Sequence, residues 1–336
     1  MATRMNESSG STLMAHTAAV EGLPNKVDTG SDDIFRILSL DGGGAKGFYT
    51  LGVLKELEAM LGCPLHERFG LIFGTSTGAI IATLVALGYS IDKIHEIYSE
   101  HVPAIMGCRT RRGRTKALER LATNVYGKAT FADVKTEIGV VAARWITERP
   151  MIFKGSVQQA HGSTGTFVPG FGLTIADAVQ ASCSAFPFFN RKVVTTSAGD
   201  KIELVDGGYC ANNPTLYAIA DAVVALKKDR SNLRLVSVGV GVYPQSKKLL
   251  TRLIKLIPFN SIELLQKTLE INTQSMDQLR SILFKDIATV RISDTFERPE
   301  MATDLLEANL EKLNLLRQRG RESFASREET LHQFLR

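Results

Sequence analysis

The sequence predicts an α/β fold with a mostly parallel central sheet and helices on both of its faces. Three observations carry this. Short apolar runs alternate with segments of helical period from Ile34 to Gly241. The runs are near-continuously hydrophobic rather than alternating, as strands buried on both faces are. Several of them end in small, polar turns, where sites form in open α/β sheets. From Phe259 onward the pattern becomes mainly helical.

Ile34–Leu40 reads as a buried strand followed by a glycine turn. Phe48–Leu61 then carries Leu51, Leu54, Leu57 and Leu61 at helical spacing, and Gly62 and Pro64 stop it. Residues 69–91, FGLIFGTSTGAIIATLVALGYSI, hold no charge and are long enough to cross a bilayer. The small, polar GTSTG interrupts them, so a strand at Leu71–Phe73, a sharp turn and a buried helix at Ala79–Leu87 is the expectation, with Gly88 as its C-cap. Ser90 caps a helix over residues 91–106. Phe131–Glu137 reads as a turn and short helix, and Gly139–Thr147 and Met151–Lys154 as strands. TIADAVQASCSAFPFF reads as a helix broken by Pro187, and Lys201–Val205 as a strand ending at Asp206. A helix follows from Asn213, with Pro214 in its first turn, then a buried strand at Leu233–Gly239. Ser261–Phe284 is a long amphipathic helix that could serve an interface in a homo-oligomer, ATVRISD a strand, and the remainder helical. Three regions result: a disordered arm over 1–33, a catalytic domain over 34–245, and a mainly helical region over 246–336 packed on it.

The chain has 336 residues, 44% hydrophobic and 22% charged, enough to bury a sizeable core without staples. Cys63, Cys108, Cys183 and Cys210 are widely spaced, with no zinc-like cluster, which fits reduced thiols in a cytoplasmic protein. The N-terminus lacks the basic and apolar regions of a secretory signal. A net charge of +5 is too mild for a general nucleic-acid footprint. Basic residues do concentrate at Arg109, Arg111, Arg112, Arg114, Lys116 and Arg120, readable as a solvated loop and helix start or as an anion site for phosphate groups.

Gly42–Gly47 matches the dinucleotide fingerprint G-x-G-x-x-G and lies between strand and helix. That reading requires an acid closing the second strand, and none is clearly placed. Gly74-Thr75-Ser76-Thr77-Gly78 fits G-x-S-x-G, the nucleophile elbow that lifts a serine hydroxyl above a sheet. A histidine base is hard to find, because after Asp206 only His332 remains, in a charged helix near the C-terminus. A carboxylate against the serine can replace it, and Asp206, ending a strand before Gly207-Gly208, is the candidate. The amides of Gly43, Gly44 and Thr77 could then meet the oxyanion formed when Ser76 attacks an ester.

DGGGAKG, GTSTG and DGG, in that order, resemble the patatin-like phospholipase family, as do TIADAVQASCSAFPFF and DGGYCANNP between and around them; the likeness runs from Arg36 to Gly241. The resemblance implies a three-layer sandwich and a Ser76–Asp206 dyad. It also implies an oxyanion hole from Gly42, Gly43 and Gly44, and hydrolysis of glycerophospholipid acyl esters through an acyl-enzyme, without a metal. The substrate would be reached by docking on the inner face of the membrane. Lys46 stands where the family usually has arginine. The overall arrangement is also similar to bacterial patatin effectors of antiphage signalling, which implies activation by a cyclic dinucleotide. Arg109, Arg111, Arg112 and Arg114 are the candidate sensor. The competing reading is a Rossmann-like nucleotide-binding protein that holds phosphate at Gly42–Gly47.

Overall fold

The computed structural model describes residues 34–162, 165–244 and 260–336, with side chains from residue 264 in the last stretch; the N-terminal arm lies outside the described residues. An eight-stranded sheet forms from β1 (Phe35–Leu40), β2 (Leu71–Thr75), β3 (Glu137–Arg144), β4 (Arg149–Lys154), β5 (Lys192–Thr195), β6 (Lys201–Asp206), β7 (Leu233–Val238) and β8 (Ala288–Ile292). Its order is β5-β6-β3-β2-β1-β7-β8, with β4 also paired to β3. β3, β2, β1, β7 and β8 run parallel, and β4, β5 and β6 join antiparallel. β8 lies beyond residue 245, so the C-terminal region supplies an edge strand of the same sheet as well as helices.

Both faces of the sheet are buried, which is why its strands read as continuous apolar runs. Leu38, Leu40, Ile72 and Val140 face the larger cluster, built with α1 (Gly47–Leu61), α3 (Thr77–Ala86), α4 (Ile91–Met106), α5 (Arg111–Tyr126), α6 (Ile175–Ser182), α10 (Leu310–Ala325) and α11 (Glu328–Phe334). Ile37, Leu71, Phe73 and Val141 face a smaller one, built with α7 (Gly208–Ala211) and α8 (Thr215–Ala220). A short α2 (Leu65–Arg68) and the long α9 (Asn260–Leu283) complete the helices. The charge-free stretch at 69–91 is β2, a turn and α3, and among the described residues no helix is long and apolar enough to cross a membrane.

Three elements differ from expectation. Phe131–Thr136 forms a turn and no helix, because the Asp133 carboxylate takes both the N–H and the hydroxyl of Thr130. α6 stops at Ser182, well before Pro187, because the carbonyls of Ser182 and Ser184 accept the N–H groups of Gly207 and Asp206 instead of continuing the helix. Arg111–Tyr126 is a full helix capped by the Thr110 hydroxyl, where only a helix start was readable.

Candidate active site

β4 fills one edge of β3 throughout Gly139–Arg144. On the other edge β2 pairs as far as Thr75 with Val141, and β6, running the opposite way, takes over with Asp206 opposite Ala142. The two carboxyl ends therefore meet head-on, one residue apart along β3, a strand rise of roughly 3.4 Å. Ser76, the first residue past β2, is delivered to Asp206 by this register.

Ser76 has φ 52° and ψ −120°, a left-handed backbone that a side chain resists. Its surroundings hold it there. The Ser182 hydroxyl accepts the Ser76 N–H at 2.9 Å and donates to the Val141 carbonyl at 2.6 Å. The Ser76 carbonyl accepts from Ala79 and Ile80, opening α3. Gly207 is obligatory, since a Cβ there would stand 2.1 Å from the Val141 oxygen.

Asp206 is buried. Its Oδ1 accepts the Gly208 N–H at 2.7 Å, while Oδ2 has no partner in hydrogen-bonding geometry. Burial pushes its pKa up to about 7, against the lowering effect of the Gly208 amide and the neighbouring Ser76 hydroxyl. A carboxylate with one open oxygen beside a serine, half-ionised near neutrality, has the properties of a general base.

The glycine turn lies across from both. The N–H groups of Gly43, Gly44 and Thr77 have no acceptor among the described residues. Gly42 departs from the expected hole: its N–H donates to the Asn212 carbonyl at 2.9 Å, and its own carbonyl accepts from Asn212 Nδ2 at 3.2 Å. The turn is braced from behind by a buried bidentate pair in which Arg291 Nη1 and Nη2 donate to Asp41 Oδ1 and Oδ2. Arg291 comes from β8, so the C-terminal region takes part in fixing the turn.

Ser76 and Asp206 open into a cavity of about 60 Å³ lined by Ile80, Val102, Ile105, Leu118, Phe188 and Phe189. The lining is apolar, as an acyl chain would require. The volume is far below the roughly 300–1,000 Å³ usual for ligand sites. Leu269 of α9 and Leu305 also line it.

The family model of patatin-like phospholipases matches residues 38–219, more than half of the chain. The chain belongs to the patatin-like phospholipase family. A cUMP-AMP-activated phospholipase of Escherichia coli is 70% identical over 307 residues, covering 91% of this chain and 95% of that protein. A cGAMP-activated phospholipase of Pseudomonas aeruginosa (strain BWHPSA011 / Pa011) is 28% identical over 217 residues, covering 61% of this chain and 62% of its own. Among solved structures, VipD from Legionella pneumophila aligns over 89% of this chain and 67% of its own, at 12% identity and a TM-score of 0.47.

Membership places the remaining sequence readings. The dinucleotide alternative finds no support: the second strand ends in the Ser76 turn, where an acid would be needed for a ribose. The described histidines stay away from the cavity. His161 pairs with Asp221, and His95 packs edge-on against Phe48. Lys46, at the usual arginine position of patatin-like phospholipases, is buried and paired with Glu270 of α9 at 3.2 Å. Arg109, Arg111 and Arg112 are exposed at the start of α5, Arg114 is half-buried, and none lines the catalytic cavity. The sequence reading assigned no role to Ser182, Asn212, Leu269 or Arg291. The first two sit inside motif blocks already singled out, and the last two carry no local signal at all.

Proposed function

We propose that this chain is a serine lipid acyl hydrolase that cleaves acyl esters of membrane glycerophospholipids and is held inactive until a cyclic dinucleotide binds. The observation that supports the chemistry is the head-on register of β2 and β6 on β3, which ends the two strands one residue apart and makes Ser76 a neighbour of Asp206, a buried carboxylate with one unpartnered oxygen. Asp206 takes the Ser76 proton as Oγ attacks the ester carbonyl. The oxyanion is met by the amides of Gly43, Gly44 and Thr77, each such donor worth roughly 3 kcal/mol in comparable sites. Collapse expels the lysolipid alkoxide, which takes the proton back from Asp206 and leaves an acyl-enzyme on Ser76. Asp206 then takes a proton from a water as that water attacks the acyl carbon, and returns it to Ser76 Oγ as the acyl–oxygen bond breaks, which frees the fatty acid and restores the dyad.

The substrate lies in a bilayer, and a patch near the cavity suits one. Trp145, Ile146 and Tyr209 are exposed, and the Tyr209 hydroxyl donates to the Phe186 carbonyl. Arg191 lies over both the Trp145 and Phe186 rings, and Arg111 over Phe186. Aromatic rings interleaved with guanidinium groups suit the anionic interface of an inner membrane leaflet. Gating is supported by the 70% identical cUMP-AMP-activated relative and by the near-filled catalytic cavity.

The test is hydrolysis of phosphatidylglycerol-containing vesicles with and without cUMP-AMP. Fatty-acid release should depend on the nucleotide and vanish in Ser76→Ala. Release that persists in Ser76→Ala would remove the proposed chemistry.

A further inference from the structure

A second cavity, of about 500 Å³, lies against the other side of the glycine turn, between the turn and α9. It shares Gly43, Asn212, Leu269 and Leu305 with the catalytic cavity. Unlike that cavity it is large enough for a small-molecule ligand, within the roughly 300–1,000 Å³ usual for such sites. Its lining combines two ammonium groups, Lys46 and Lys267, with the side-chain amides of Gln266, Gln274 and Gln278.

Lys46 is the distinctive group. Its side chain is 3% exposed, and its ammonium, with three donor hydrogens, meets one acceptor among the described residues, Glu270 Oε1. That same oxygen also accepts from Gln266 Nε2 at 3.0 Å. Glu270 is the more exposed partner, at 39% of its side chain. A buried cation is thus held by a carboxylate that solvent reaches, in a cavity whose apolar walls, Val240, Val242, Ile271 and Leu305 among them, are interspersed with amide and hydroxyl side chains, with Lys267 and with Asp41, the last already paired with Arg291. A phosphodiester can replace that carboxylate on Lys46 without creating an unpaired charge, and the glutamines offer donors and acceptors for base edges.

Leu269, which lines both cavities, is the residue next to Glu270 on α9. The helix is tied to the Asp206 loop by a few polar contacts. Asn272 Oδ1 accepts the Asn212 N–H at 2.8 Å, Asn272 Nδ2 donates to the Cys210 carbonyl at 3.3 Å, and Thr273 Oγ1 accepts from Asn212 Nδ2 at 2.7 Å. Lys46–Glu270 ties it to the glycine turn.

We propose that the groove between α9 and the glycine turn is the effector site, taking a phosphodiester ligand on Lys46 in place of Glu270, and that its occupation draws Leu269 off the catalytic cavity. This rests on the gated-hydrolase reading above. A glycerophospholipid head group offers the same phosphodiester. The cyclic dinucleotide is favoured because α9 must shift before a lipid acyl chain can enter.

The test is calorimetric titration of the full chain with cUMP-AMP, run beside vesicle hydrolysis. Gln274→Trp fills the groove and should weaken nucleotide binding at least about tenfold. Glu270→Gln removes the competing carboxylate and should tighten it severalfold, the opposite of what a loss of structural support would do. Leu269→Ala should hydrolyse lipid without nucleotide, while Arg111→Glu/Arg112→Glu should bind nucleotide as the parent does. Glycerophosphocholine should not displace the nucleotide. Unaltered binding in Gln274→Trp, lost binding in the double arginine variant, or displacement by glycerophosphocholine at equal potency each overturns the assignment. Nucleotide binding that follows these expectations while no variant hydrolyses lipid would instead sink the hydrolase reading and leave the site standing.

Discussion

The proposed chemistry rests on one carboxyl group, that of Asp206, and its burial has two opposed consequences for pH. As a base it must be ionised, so activity should rise through about pH 7 and stand at about a tenth of its plateau one unit lower. A pH–rate profile with soluble ester substrate checks this; a profile flat from pH 5 to 8 contradicts it. For stability the sign is reversed. The folded pKa lies above the ordinary carboxylate value of 3.8, so the folded state binds the proton more tightly than the unfolded chain. The group therefore costs nothing below about pH 4, and stability falls as pH rises from there through about 7. The full loss is on the order of 4 kcal/mol. Asp206→Asn should be inactive yet melt higher than the parent at pH 8, with the difference closing toward pH 4. Ser182 acts one step removed, through the Ser76 N–H and the Val141 carbonyl. Ser182→Ala leaves both of these groups without their partner, a cost of roughly 1–3 kcal/mol, and should lower kcat more than it raises KM.

The two elements that deliver Ser76 and Asp206 were readable, but their meeting was not. G-x-S-x-G between an apolar strand and an apolar helix announces the elbow, because only small residues survive where Gly74 and Gly78 pack against neighbouring backbone. Asp206 before Gly207-Gly208 announces a strand ending in a carboxylate. That β6 runs antiparallel and ends against Ala142 depends on pairing across the sheet, which no local pattern encodes. The early end of α6 has the same origin, since its carbonyls are claimed by residues 206 and 207. Gly42 shows the limit of motif reading from the other side. The letters present three equivalent amides, and the fold spends one of them on Asn212. The register makes a firm prediction for β6: Gly207→Ala forces a methyl into the Val141 oxygen, so it should abolish activity even where the protein still folds, as judged by circular dichroism.

The catalytic half and the C-terminal region are joined through charge as well as packing. Asp41, before the glycine turn, is buried, and burial raises its pKa even though the Arg291 guanidinium bound to it pulls the other way. Removing one partner strands the other, so Arg291→Met should cost roughly 3–5 kcal/mol in chemical unfolding. The double variant Asp41→Asn/Arg291→Met should recover part of that loss. Nothing near Arg291 in the sequence marks it, because its partner is 250 positions away. α9 joins the same two regions through the Lys46–Glu270 pair and the Asn272 and Thr273 contacts, few enough to suit the shift proposed for it.

The most direct measurement is peptide-level mass spectrometry of the full chain treated with a fluorophosphonate in the presence of cUMP-AMP. A single adduct on Ser76 is predicted, forming at least about a thousandfold more slowly in Asp206→Asn. An adduct elsewhere, none with nucleotide bound, or parental labelling in Asp206→Asn would show that these two side chains do not act together.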